Sequence, residues 1–389
     1  MSAPTMPVTS SGWLAVVSVT VGIFAIVTTE ILPIGLLTSI GANLSISNGT
    51  AGLMMTMPGL LAAVASPVVT VVTARVDRRQ MLRTFMLVLT VANVIAAAAP
   101  GYWAVLLSRV LVGVTIGGFW SIAAGLADRF VPPGSTARAT AVIFAAVPLG
   151  SVLGVPAGTF IGDIAGWRTA FVVMAALSGA VLVAITIVVP RLPAEQATRI
   201  SVLRDLVRQR STRAALLVTF LIVLAHFGTY TYVTPFLEQV THVSSGTVTV
   251  ILLVYGAAGI VGNFLAGTRV VRYPRATFGV SAALLGAATA LLPVVGTTPV
   301  GAVALLVVWG LAYGAVPVCS QTWFVRSAPG TPEAASVLFT SSFQATIGFG
   351  ALIGGAVVDR SSPSTVMLLG GLTALLVVAV CVRLGRGTT

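Results

Sequence analysis

The stretch WLAVVSVTVGIFAIVTTEILPIGLLT, residues 13–38, is 26 residues long and carries a single charge, Glu30. As a helix it would rise about 39 Å at 1.5 Å per residue, more than the roughly 30 Å of hydrocarbon in a bilayer. Working outward, eleven further apolar runs follow at 50–73, 81–99, 103–126, 139–162, 169–190, 214–237, 247–268, 276–296, 299–322, 334–358 and 364–382. Hydrophobic residues make up 57% of the 389 and charged residues 8%, against roughly 25% charged in a soluble domain. The expectation is an all-α membrane protein with 12 transmembrane helices, and a soluble enzyme is excluded.

The net charge of +12 would point to nucleic acid in a soluble chain, so the positions of the charges decide its meaning. Of the 21 arginines, 18 fall in the breaks after runs 2, 4, 6, 8 and 10, at the edge of such a break (Arg83) or at the C-terminus; Arg168 and Arg360 occupy the alternate breaks, and Arg109 lies well inside a run. Arginine-rich breaks stay on the cytoplasmic side. Both termini are therefore expected in the cytoplasm of a bacterium with the chain multi-pass in its inner membrane, and nucleic acid is not an expected partner. Cys319 and Cys381 lie inside apolar runs and read as small buried hydrophobes rather than a disulfide. Residues 1–12 lack the basic region and cleavage site of a signal peptide.

The longest break, Arg191 to Arg213, divides the runs into two groups of six, giving bundles 1–190 and 214–389 around a linker at 191–213. Within the linker, Ser201 to Arg213 predicts a surface helix with Leu203, Leu206 and Val207 on one face. The halves resemble each other at an offset of 196: Gly154, Gly158 and Asp163 recur as Gly350, Gly354 and Asp359. Two parallel six-helix repeats place a binding site between the halves near the bilayer midplane.

Charges within hydrocarbon are costly and mark function. Only Glu30 and Arg109 qualify, at similar depth, so they are expected to be coupled directly or through water, with Glu30 exchanging a proton; a permanent ion pair tying two helices is the alternative. Pro33 withdraws the backbone donor that would meet the Thr29 carbonyl and is expected to kink the helix beside Glu30. The 196 offset carries Glu30 onto His226, a second candidate for the proton path or substrate, unless it is a neutral histidine bonded to its surroundings. Tyr230, Tyr313, Gln344, Trp120, Trp309 and Phe343 are candidate substrate contacts, because an aromatic cavity with a few polar groups suits an amphipathic organic molecule. The rows Gly113/Gly117 and Gly150/Gly154/Gly158 read as helix-packing devices, with Pro148 and Pro156 bending their helix. No nucleotide-phosphate loop, metal cluster or nucleophile triad is present in the sequence, so neither cofactor nor metal is expected.

These residues resemble the Major Facilitator Superfamily, and within it the twelve-helix drug:proton antiporters that include bacterial sugar efflux, purine ribonucleoside efflux and chloramphenicol resistance transporters. TTEILPIGLL at 28–37 is similar to that group's first-helix signature, LLSRVLVGVTIGGFW at 106–120 to its fourth-helix motif, GSVLGVPAG at 150–158 to its helix-5 antiporter motif, and GWRTAF at 166–171 to the continuation. In TVVTARVDRRQML at 70–82, Arg75, Arg78 and Arg79 match the loop between helices 2 and 3, whereas Thr70 and Ala74 stand where the family has Gly and Asp; Asp77 is the candidate for the acidic role. The resemblance implies the major facilitator fold and proton-coupled efflux of a drug, sugar or nucleoside by a monomer, with Arg109 tied to coupling. Its conformational motifs fall on Arg75, Asp77, Arg78, Arg79, Gly150, Gly154, Pro156 and Gly158. A proton gradient supplies the driving force. Uptake by a symporter or facilitator, and a non-transporting receptor or scaffold, are the competing expectations.

Overall fold

The computed structural model describes residues 10–73, 75–123, 126–193, 200–270, 272–327 and 332–386. Its first seven α-helices are α1 (Ser10–Leu44), α2 (Asn48–Val72), α3 (Arg78–Ala97), α4 (Tyr102–Ala123), the short α5 (Ala127–Phe130), α6 (Thr136–Ala165) and α7 (Trp167–Val188). They are followed by α8 (Ile200–Arg208), α9 (Arg210–Tyr230), α10 (Val233–Gln239), α11 (Ser245–Val270), α12 (Pro274–Val295), α13 (Pro299–Ser327), α14 (Pro332–Arg360) and α15 (Pro363–Arg386). Among the described residues, 12 of these helices are long and apolar enough to cross a membrane, and each overlaps one expected run.

The helices gather around two hydrophobic cores, one built mainly from residues 15–192 and the other mainly from 218–381. In the first, α1 packs on α6 and α7 while α3 packs on α4 and α7; in the second, α11 packs on α13 and α12 on α15. Two helix pairs join the cores, α2 with α14 and α6 with α11. Adding 196 carries α2 onto α11 and α6 onto α14, so the sequence repeat exchanges the two joining pairs. Large apolar side chains such as Val64, Ile164, Ile187 and Phe264 are exposed, as expected of surfaces solvated by lipid tails.

Two helix boundaries depart from the sequence expectation. The seventh run does not extend to 237: α9 ends at Tyr230, and the chain turns through Thr231 and Tyr232 into α10. Pro235 has no N–H to offer the Thr231 carbonyl and its ring clashes there, which breaks the helix. By contrast α1 continues through Pro33 as one helix. The linker helix covers 200–208 rather than 201–213; Leu206 is buried against Ala334 and Ala335 at the start of α14, while Val207 is exposed. The side chain of Leu203, along with residues 194–199 of the linker and Ala74, lies outside the described set. Between α6 and α7, Gly166 takes φ +82°, a left-handed conformation that suits glycine.

Candidate functional site

Glu30 sits on α1 where the two cores meet, 7% exposed. Its Oε1 accepts a hydrogen bond from Gln344 Nε2 of α14 at 2.9 Å, so one side-chain bond links the halves at this level. Arg109 on α4 is fully buried and electrostatically coupled to Glu30, yet its hydrogen bonds go elsewhere. Nη1 donates to the Thr29 carbonyl at 2.8 Å and Nε approaches Ser108 Oγ at 3.3 Å, while the guanidinium carbon lies 5.2 Å from the ring centroid of Phe171. The Thr29 carbonyl is the acceptor that Pro33 leaves without a helical donor. Arg109 thus satisfies the proline defect and holds its charge beside Glu30 without pairing with it.

His226, Tyr230, Trp309 and Tyr313 converge in the second half. The His226 ring stacks on Tyr313 with centroids 3.3 Å apart and on Tyr230 at 5.1 Å, and Tyr255 extends the column beyond Tyr230 at 4.8 Å. Trp309 stands edge-on and donates from Nε1 to His226 Nδ1 at 3.0 Å. Indole nitrogen is a donor only, so Nδ1 is the bare acceptor and this geometry holds the neutral imidazole. Tyr313, half-buried, is the member of the column that interacts electrostatically with Glu30.

The remaining aromatic candidates lie in separate groups. Trp120 pairs with Phe144 of α6 at 6.0 Å, and Phe343 pairs with Phe339 at 5.3 Å, which in turn meets Phe324. Neither group includes a member of the His226 column.

The glycine row on α6 is the seat of α1. A Cβ at Gly150 would press on Val27, one at Gly154 on Ile31 and Thr28, and one at Gly158 on Leu32; these neighbours bracket Glu30. Pro156 lies inside the same unbroken helix. Gly113 and Gly117 seat α4 on α2 in the same way. In the loop before α3, Asp77 caps the helix by accepting from the Arg79 N–H at 2.8 Å and also accepts from the Leu192 N–H at 3.1 Å. Arg78 N–H donates to the Leu192 carbonyl at 2.8 Å, Arg79 Nη2 donates to the Thr186 carbonyl, and Arg75 is exposed. The motif is thereby anchored to the end of α7 within its own half.

Sequence reasoning passed over the contacts that close the face opposite the termini. Asp359, at the end of α14, accepts from Ser47 Oγ at 2.6 Å and from the Gly49 N–H at 2.8 Å, at the N-terminus of α2. Its repeat partner Asp163 is exposed. Thr234 Oγ1 donates to the Ile34 carbonyl at 3.0 Å and Thr38 Oγ1 to Glu238 Oε1 at 3.3 Å across the halves, while Tyr232 Oη donates to the Ala351 carbonyl at 2.7 Å within the second half. Burial raises the Glu238 carboxyl above its ordinary range, and the Thr38 hydroxyl partly opposes that. Asn93, the lone amide amid the apolar middle of α3, is also fully buried and reaches Thr29. Its isolation in an apolar run was the available signal.

Comparison with known proteins agrees with this architecture. The family profile of the Major Facilitator Superfamily matches residues 13–339. The transcription regulatory protein OpdE of Pseudomonas aeruginosa is 32% identical over 362 residues, 91% of this chain and 89% of that one. The purine ribonucleoside efflux pump NepI of Escherichia coli is 30% identical over 376 residues, 96% and 95% of the two chains. Among solved structures, a bacterial homologue of the human lysosomal transporter Spinster, inward-facing and occupied, matches with TM-score 0.75 at 16% identity over 98% of both chains. The human organic anion transporter MFSD10 matches with TM-score 0.68 at 18% identity, over 95% of this chain and 99% of that one. Twelve membrane-crossing helices around two cores, a buried carboxylate between them and a family match over most of the sequence lead to one conclusion: the chain is a multi-pass membrane transporter belonging to the Major Facilitator Superfamily.

Proposed function

We propose that the chain is a proton-coupled exporter of a small neutral organic molecule, with purine nucleosides the first class to test. It works as a monomer in the bacterial inner membrane with both termini cytoplasmic. The carrying observation is Glu30, a carboxylate buried between the two halves and bonded to Gln344 of the opposite half. Substrate and proton compete for it. A substrate N–H or O–H donor displaces the Gln344 amide from the carboxylate, and protonation of Glu30 removes the charge that draws either donor. Arg109 keeps a fixed positive charge nearby, and the Tyr313–His226–Tyr230 column with Trp309 forms the aromatic wall. Trp120 and Phe343 contact substrate from their own sides. His226 gives up or takes a proton only when its bond from Trp309 is released.

The arginine asymmetry orients the Asp359 contacts outward, so this conformation is closed to the outside. Rocking of the halves between this state and its opposite carries the substrate. The loop at Arg75, Asp77, Arg78 and Arg79 and the glycines of α6 steer that motion. NepI is named for purine ribonucleoside efflux, which supports the substrate class and direction; OpdE is named as a regulatory protein, which favours a signalling reading instead.

The deciding experiment is flux of radiolabelled inosine and adenosine in proteoliposomes with an imposed pH gradient. Movement against the nucleoside gradient, lost in Glu30→Gln, supports the exporter. Absence of flux for nucleosides, sugars and drugs alike, with tight binding of one of them, supports the sensor.

A further inference from the structure

Behind Glu30, inside the first half, two buried polar atoms lack partners and are chemically complementary. Asn93 on α3 donates from Nδ2 to the Leu89 carbonyl at 3.0 Å and to Thr29 Oγ1 at 3.3 Å. The Leu89 carbonyl is an acceptor only, so it fixes the amide orientation and leaves Oδ1 as the unmet acceptor. Arg109 donates from Nη1 to the carbonyl of the same Thr29, leaving Nη2 as the unmet donor. Both side chains are fully buried and both are anchored on the residue preceding Glu30. A water molecule can accept from a guanidinium N–H and donate to an amide oxygen, and buried waters occupy polar sites of this kind.

We propose that Asn93 Oδ1 and Arg109 Nη2 together bind a water molecule beside Thr29, making Asn93 a positioning residue for proton exchange at Glu30. This rests on the reading of Glu30 as the proton carrier. A water held there offers a proton a hydrogen-bonding relay beside Thr29, the residue before Glu30. The charged or ionisable groups coupled to Glu30 from the surrounding helices are Arg109 of α4 and Tyr313 of α13, with Gln344 of α14 as its neutral partner. Asn93 itself bonds to Thr29 and to its own helix, so its loss leaves the Gln344 bond to Glu30 and the aromatic column in place.

The test follows the Glu30 carboxyl band by infrared spectroscopy of the purified full chain after a pH jump, isolated by subtracting the Glu30→Gln spectrum. Asn93→Leu, which fills the position with an apolar group, is expected to slow the response at least tenfold. Asn93→Ser, which keeps a hydroxyl able to hold water, is expected to stay within threefold of the parent. A response in Asn93→Leu equal to the parent overturns the inference while leaving Glu30 as the carrier. A parent protein with no titrating Glu30 band overturns the carrier reading and this inference with it. Should Asn93→Leu fail to fold, a high-resolution map of the parent decides: density within hydrogen-bonding distance of both atoms supports the site, and direct Asn93–Arg109 contact or empty space overturns it.

Discussion

Gln344 Nε2 lies 2.9 Å from Glu30 Oε1, joining α14 to α1 across 314 residues of sequence. It is the side-chain bond that ties the buried carboxylate of one half to the other. Hydrogen bonds to charged groups contribute about 1.5–3 kcal/mol, so Gln344→Ala is expected to shift the closed state toward opening by about tenfold or more. Spin labels at Ser45 and Ser361, both exposed at the closed face, will report a longer population in the distance distribution.

Asp359 holds the same face through Ser47 and Gly49 at the N-terminus of α2, where the helix dipole favours a negative charge. Asp359→Ala removes both hydrogen bonds and that charge, a loss that exposure to solvent limits to about 1 kcal/mol. The label pair should then favour the open distance, and Asp359→Asn, which keeps acceptor capacity, should give a smaller change.

Gly59 lets α2 reach α14, and Gly52 lets it reach Tyr232 at the turn between α9 and α10. A Cβ on Gly52 would overlap the Tyr232 hydroxyl, and one on Gly59 would lie 2.6 Å from the Gln344 carbonyl and 2.7 Å from the Gly348 nitrogen. Alanine at either position is expected to prevent full closure and to cut transport severalfold. Gly101→Ala, where nothing lies within 4 Å, is the control and should leave both measurements unchanged.

Glu238 makes the closed face sensitive to pH. Its carboxyl is raised above the ordinary value of 4.5, chiefly by burial, so the closed state binds the proton more tightly than the open one. The resulting stabilisation is fully present below the ordinary value and is lost as pH rises through the raised one. Acidification should therefore shorten the Ser45–Ser361 distance, and Glu238→Gln should flatten that dependence.

Trp309→Phe removes the donor to His226 Nδ1 and leaves a buried acceptor unmet, a cost of about 1–3 kcal/mol. A fall of several degrees in thermal unfolding, measured by scanning fluorimetry in detergent, is the expected result.

Much of this was legible in the sequence because the bilayer reduces the choices. A run such as 13–38 with one charge has to be a spanning helix, since backbone groups in hydrocarbon must bond within their own segment. Arginine placement carried an orientation, the 196 offset carried the repeat, and the cost of burying Glu30 and Arg109 singled them out. The end of the seventh helix was hidden because hydropathy runs on past the break at Pro235 into α10. The partners of Asn93 and Asp359 were hidden because an amide and an acid gain meaning only from the atoms that face them.

What the sequence by itself determined is the number of helices, their expected orientation and the two charges that lie inside spanning runs, all of them consequences of the free energy of moving residues from water to lipid. Only the tertiary structure decided that Arg109 bonds to the carbonyl Pro33 leaves bare rather than to Glu30, and that Glu30 answers to Gln344 of the other half. It also decided that His226 is held by Trp309. Those pairings depend on which helix faces which, and that is set by glycine contacts such as Gly154 on Thr28 and Ile31, whose range is a few ångströms and whose partners are far apart in the chain.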